Sequence, residues 1–175
     1  MAYNSETAIA SGPRYWRDKW CAKDAIVASL EFTNVAADKD FPNVVVPASF
    51  LPSGATVVEV NMILKWRKMM EDSTAENYIN AASKAIRVKI STGAWGTDDI
   101  VAMTMKNGSW IVAASGTEGG DVLISTTDIK AVVTGAAATY NFESNETNRS
   151  GAIVVKGDGM TLYDVETGLR IFYTL

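Results

Sequence analysis

The stretch Thr56-Val57-Val58-Glu59-Val60-Asn61-Met62-Ile63-Leu64-Lys65-Trp66-Arg67-Lys68-Met69-Met70 decides the fold. Its even positions, Val58, Val60, Met62, Leu64 and Trp66, are apolar, while Glu59, Asn61, Lys65 and Arg67 fall on odd positions. In a strand successive side chains point to opposite faces, so this period of two describes a sheet with one buried face; a helix would mix the two sets. A strand of about fifteen residues is long where five or six is usual. A bulge, a bend across two sheets or an interruption near Lys68 is therefore expected.

Working outward, Leu51-Pro52-Ser53-Gly54 reads as the turn that leads in, and Val44-Val45-Val46 as a short strand stopped by Pro47. Further upstream, Ile26, Ala28, Leu30 and Phe32 share one face of a strand, with Val27, Ser29 and Glu31 on the other. Downstream, Ser73-Thr74-Ala75-Glu76 resembles a capping box, which predicts one short helix or a structured loop over Glu71 to Lys84. Strand patterns then return at Ile86 to Ile90, Ile100 to Met105, Trp110 to Ala113, Asp121 to Ser125, Asp128 to Val133, Ala138 to Phe142, Ala152 to Lys156, Thr161 to Val165 and Leu169 to Leu175. Glycines at 116, 119, 120, 135, 151, 157 and 159 punctuate them. Some nine or ten short strands with little helix predict an all-β protein, an antiparallel β-sandwich of jelly-roll-like form, with an up-and-down barrel as the alternative. No fixed-period repeat is visible, so propellers and solenoids are excluded.

Met1 to Asp24 shows no sustained period and sets Tyr15, Trp16 and Trp20 among Arg14, Arg17, Lys19 and Lys23. It reads as an extended N-terminal arm, residues 1–24, ahead of one sandwich domain, residues 25–175. The chain of 175 residues is 47% apolar and 21% charged, enough to build a single core without staples. It contains no histidine. That removes Ser-His-Asp and Cys-His catalysis, His-ligated metals and imidazole acid-base chemistry. The net charge of −4 argues against nucleic acid as the main partner. No secretory signal is readable at the N-terminus, and Pro42 to Val58, the longest stretch without a charge, carries three prolines and cannot be a spanning helix. Synthesis in a cytoplasm and no membrane partner are expected. Cys21, the single cysteine, reads as an inert thiol.

The carboxylates Asp98, Asp99, Glu118, Asp121, Asp128, Asp158, Asp164 and Glu166 are the groups left for hydrolysis, and a close pair would suit a glycosidase. Each stands beside a glycine or at a strand end, where acidic residues cap turns. Lys156-Gly157-Asp158-Gly159-Met160 has the look of a calcium loop without its further acidic positions, and Ser115 to Gly120 has glycines without the lysine of a phosphate loop. No metal, cofactor or catalytic residue is expected. The sequons at Asn107, Asn145 and Asn148 read as chance matches in turns. The run Tyr15, Trp16, Arg17, Trp20 carries the residue types that anchor protein interfaces and is the candidate partner-binding site. Two other readings stay open: single-strand stacking, and plain cover for one end of the sandwich. Trp95, Trp110 and Tyr163 are the residues a carbohydrate-binding module would use.

The run Leu51 to Thr56 leading into a long strand, with Gly119-Gly120-Asp121-Val122-Leu123, Thr139-Tyr140-Asn141-Phe142 and Asp164 to Tyr173, resembles small β-sandwich structural proteins of tailed phages and related viruses. The resemblance covers about two thirds of the chain and omits the arm before Ala25. It implies a non-enzymatic virion component, either a capsid decoration (cement) protein or a tail or neck subunit. Such a protein would form homo-oligomers and contact capsid or tail neighbours, and a glycan-binding role would remain compatible with it.

Overall fold

The computed structural model describes residues 13–32, 37–71, 85–104, 117–144 and 160–175. Nine strands lie among them: β1 Tyr15–Trp20, β2 Val27–Phe32, β3 Asp40–Val46, β4 Thr56–Glu71, β5 Ala85–Ile90, β6 Ile100–Thr104, β7 Thr117–Ile124, β8 Ala138–Ser144 and β9 Met160–Thr174. A single 3-10 turn, Lys23–Ala25, separates β1 from β2, and no α-helix occurs among the described residues. The helix expected within residues 72–84 and the strands expected at Trp110 to Ala113 and Ala152 to Lys156 lie outside them.

All pairings are antiparallel and nested: β2 with β9, β3 with β8, β4 with β7, and β5 with β6. The chain thus forms one long hairpin, β2–β5 against β6–β9, rolled so that β9 also meets β4 and β8 also meets β5. The outcome is two sheets, ordered β2-β9-β4-β7 and β3-β8-β5-β6, which is the jelly roll and excludes the up-and-down barrel. Within the described residues only β5 and β6 are consecutive strands that pair. The core lies between the sheets. Val60, Met62, Leu64 and Trp66 of β4 face Ile86, Val88, Tyr140 and Phe142 of the second sheet, with Leu162, Val165, Leu169 and Ile171 of β9 beside them.

The irregularities expected of the long strand are present. A bulge falls between Val57 and Glu59, and a second break lies at the Arg67 level. Trp66 and Met69, three apart, are both buried, and so are their cross-strand neighbours Val165 and Leu162. Both strands therefore switch which parity faces inward. Asp164 takes a left-handed φ of 51° at this point. Gly120 of β7 lies so close here that a Cβ would collide with the carbonyl oxygens of Trp66 and Arg67.

Three expectations are corrected. Asp128 to Val133 is not a strand: the Ile129 amide donates to the Val60 carbonyl at 2.8 Å, and the Val132 and Val133 amides fold back onto the Ile129 carbonyl. Ile129 and Val133 are both buried in the resulting turn, so two apolar anchors four apart mimicked a strand pattern. Thr161 to Val165 and Leu169 to Leu175 are one strand, because Glu166-Thr167-Gly168 stays paired with β4 instead of turning. Residues 15–20, read as part of an arm outside the sandwich, are a strand of the first sheet, paired with β9 from Tyr15–Tyr173 to Trp20–Gly168. β1 and β2 lie end to end along the same edge of β9, joined by the Cys21 amide donating to the Thr167 carbonyl.

Candidate functional site

Strand alternation divides the four sequence-selected residues. Tyr15 and Arg17 pair with Tyr173 and Ile171, whose side chains face inward, and they sit on that side at the sheet edge. Tyr15 stacks on Tyr173 with ring centroids 5.7 Å apart, and Arg17 donates to the Phe50 carbonyl at 2.6 Å. Trp16 and Trp20 point the other way, onto the outer face of the sheet. Trp16 is 60% exposed.

That outer face is ordered in rows across the strands. Trp16, Phe172 and Glu59 form the first, and Asp18, Arg170 and Asn61 the second. Trp20, Gly168, Ile63 and Ile124 form the third, each the direct cross-strand partner of the next. Glu166, Lys65 and Val122 form the fourth, and Asp164 and Arg67 the fifth. The third row is an apolar band four strands wide. Val122 and Ile124 are about half exposed, at 49% and 46%, whereas Ile63 at its centre is only 1% exposed.

Charge flanks this band and is matched within the face. Arg14 pairs with Glu59 while its guanidinium lies 4.2 Å from the Phe172 ring centroid. Arg170 grips Asp18 with two hydrogen bonds of 2.8 and 2.7 Å, a fork that holds the guanidinium pKa above its usual value. Lys65 pairs with Glu166 and lies 5.8 Å from the Trp20 ring, and Arg67 pairs with Asp164. An apolar band carrying Trp20 is thus bordered by charges that already have partners.

On the opposite sheet the structure shows a cluster that sequence reading missed. Arg87 and Lys89 of β5 point outward yet are buried, because the loop 91–99 folds back over them and lays Trp95 against both cations at 4.8 and 5.0 Å. Arg87 is held by Glu143 at 2.5 Å and by Asp38 and Asp99 at 3.5 Å. Burial pushes the Glu143 pKa up, an effect that the Arg87 contact opposes without cancelling. The guanidinium thus sits among three carboxylates. The available signal was a lone tryptophan among Gly93, Ala94 and Gly96, which needed a surface to cover.

The carboxylates singled out by the sequence are occupied locally where their side chains are described. Asp98 accepts the Ala94 amide at 2.7 Å, Asp99 the Gly96 amide, Asp121 the Val122 amide, and Asp128 the Val60 and Lys130 amides. The Asp164 and Glu166 side chains are in the ion pairs above. Asp158 lies outside the described residues, and the Glu118 side chain does too. No group of three or more metal-ligating side chains gathers among the described residues. Trp95 and Tyr163 stand on different sheets, each against a cation, with Lys68 4.4 Å from the Tyr163 ring; Trp110 lies outside the described residues. A cleft of about 650 Å3 between the β3–β4 loop and residues 134–136 has no charged side chain in its lining. Burial raises the Cys21 thiol pKa, in keeping with an unactivated cysteine.

No family model matches the chain, and no curated protein matches it. Among solved structures it is similar to the capsid of Ralstonia phage GP4, at 12% identity and a TM-score of 0.23, over 95% of this chain and 86% of that one. It is also similar to a structure of infectious bursal disease virus Gt strain, at 10% identity and a TM-score of 0.21, over 94% of this chain and 41% of that one. Both likenesses are weak.

Proposed function

We propose that this chain is a non-enzymatic structural protein of a virus particle, a capsid decoration (cement) subunit that works through protein–protein contacts. The observation that carries the reading is the outer face of the first sheet. There the apolar row Trp20, Gly168, Ile63 and Ile124, with exposed Trp16 and Val122 beside it, is framed by charges that already have partners. Covering such a face leaves no charge buried without a partner, so it avoids the larger penalty of an unpaired ion.

The fold narrows the choice without making it. Jelly rolls serve as capsid domains, lectins and cupins, and fold alone does not fix function. A chain without histidine lacks the commonest metal ligand. Of the aromatic residues a glycan site would use, the two that are described, Trp95 and Tyr163, stand against separate sheets. Of the carboxylates that sequence offers for hydrolysis, Asp98, Asp121, Asp128, Asp164 and Glu166 are each engaged by a neighbouring amide or cation. Capsid or tail neighbours, copies of this chain among them, are the partners this surface suits, through Trp16 and Trp20 on the face and Tyr15 and Arg17 at its edge.

The test is particle composition. Mass spectrometry of purified particles should find the chain in tens of copies or more each, and antibody should label their outer surface. Absence from purified particles, with the chain left in the soluble fraction, would overturn the reading.

A further inference from the structure

The outer face of the first sheet is self-complementary, and we infer that its occupant is the same face of a second copy, stacked about a two-fold axis through the centre of the Trp20–Gly168–Ile63–Ile124 row. The inference rests on the reading of this face as a docking surface and names its partner. Closed two-fold contacts are isologous, so every group must find a suitable group of its own kind of surface opposite it.

The rows satisfy that demand. Successive rows are two residues apart along each strand, so the second and fourth rows are equidistant from the third, as are the first and fifth. With the axis along the third row, Arg170 of each copy comes over Glu166 of the other, and Glu59 comes over Arg67. With the axis along the strands, Glu166 comes over Lys65, Asp164 over Arg67, and Trp20 over Ile124. Neither arrangement sets like charges opposite each other. Lys65 in the first, and Arg170 in the second, comes over uncharged Asn61, which is buried with its amide on the Thr127 carbonyl.

Charge also selects against other occupants. The four ion pairs cancel, leaving these five rows without net charge in a chain of net charge −4, with Lys68 beyond them set over Tyr163. Two copies repel elsewhere and are free to meet here, whereas a polyanion or an anionic bilayer finds no uncompensated cation among these rows. Four strands at about 4.8 Å spacing and five rows along them make a patch of roughly 20 by 30 Å. That is of the order of the about 800 Å2 per partner found in stable interfaces.

Sedimentation equilibrium on the full chain tests this, with Ile124→Glu and Val122→Lys as disrupting variants and Val45→Lys, exposed on the other sheet, as control. The expected result is a wild-type and Val45→Lys dimer, with the dissociation constant raised about tenfold or more in both disrupting variants and the melting temperature of the dissociated chain unchanged. A wild-type monomer at millimolar concentration, or a dimer indifferent to both variants, overturns the inference. Particle association of the same variants separates the two readings. If Ile124→Glu abolishes particle association while the wild type is monomeric, the face docks a different protein; if it changes neither mass nor association, the docking reading falls as well.

Discussion

The Trp20 ring lies over Gly168, its cross-strand partner on β9, so closely that a Cβ at residue 168 would stand 2.9 Å from Trp20 Cε3. The outer-face row exists because residue 168 has no side chain. Gly168→Val should lift the indole, costing about 1–3 kcal/mol of stability and altering tryptophan emission. In a Trp20→Ala background the same substitution should cost markedly less, since the two residues are in contact. Denaturant unfolding of the four proteins in this cycle measures it, and strict additivity would show that the ring is not held there.

Arg87 is buried among Glu143, Asp38 and Asp99. Arg87→Met removes the charge that the carboxylates share and should destabilise the fold by about 3–5 kcal/mol. The cover contributed by Trp95 should loosen with it, giving faster amide exchange across residues 91–99. A variant as stable as wild type at neutral pH would show that the carboxylates find other partners.

Glu143 gives this cluster a pH dependence of definite sign. Burial raises its pKa in the folded chain, so the folded state holds the proton more tightly than the unfolded state. Its contribution to stability is present below the ordinary carboxylate range and is lost as pH rises through the raised value. Glu143→Gln stays neutral throughout. The stability difference between Gln and wild type should therefore move in favour of Gln as pH rises from about 4 towards neutrality. Urea titrations across that range would read it, and a difference moving the opposite way would mean that the Arg87 contact outweighs burial.

Deleting residues 1–20 removes β1 and the Asp18–Arg170 fork and leaves the edge of β9 uncovered beside Leu169 and Ile171. The melting temperature should fall by at least about 5 °C. Deleting residues 1–12 alone leaves this strand in place and provides the comparison. A chain indifferent to loss of residues 13–20 would show that β1 adds no stability to its edge.

Much of the fold was legible because burial on one face leaves a period of two. Val60, Met62, Leu64 and Trp66 declared β4, and Leu30 with Phe32 declared the buried end of β2. The pattern weakened where its physical cause changed. Arg87 and Lys89 alternate like solvent-facing residues, yet a loop distant from them in pattern covers both. The strand pattern broke between Val165 and Leu169, where Gly168 in fact makes room for a ring. At the candidate site the residue types of Trp16 and Trp20 were readable. Their company was not, since Ile63, Ile124, Arg170 and Glu166 come from three other strands and only register places them together.

β9 is the last of the described strands in chain order and a central strand of its sheet, flanked by β1 and β2 on one side and by β4 on the other. While the ribosome is still making the residues before it, β1 and β2 have no neighbour in the first sheet and β4 has only β7. Completion of this half must wait for the final segment. Nascent chains arrested before residue 160 would accordingly be protease-sensitive and bind chaperones, and only release of the complete domain would make the sandwich.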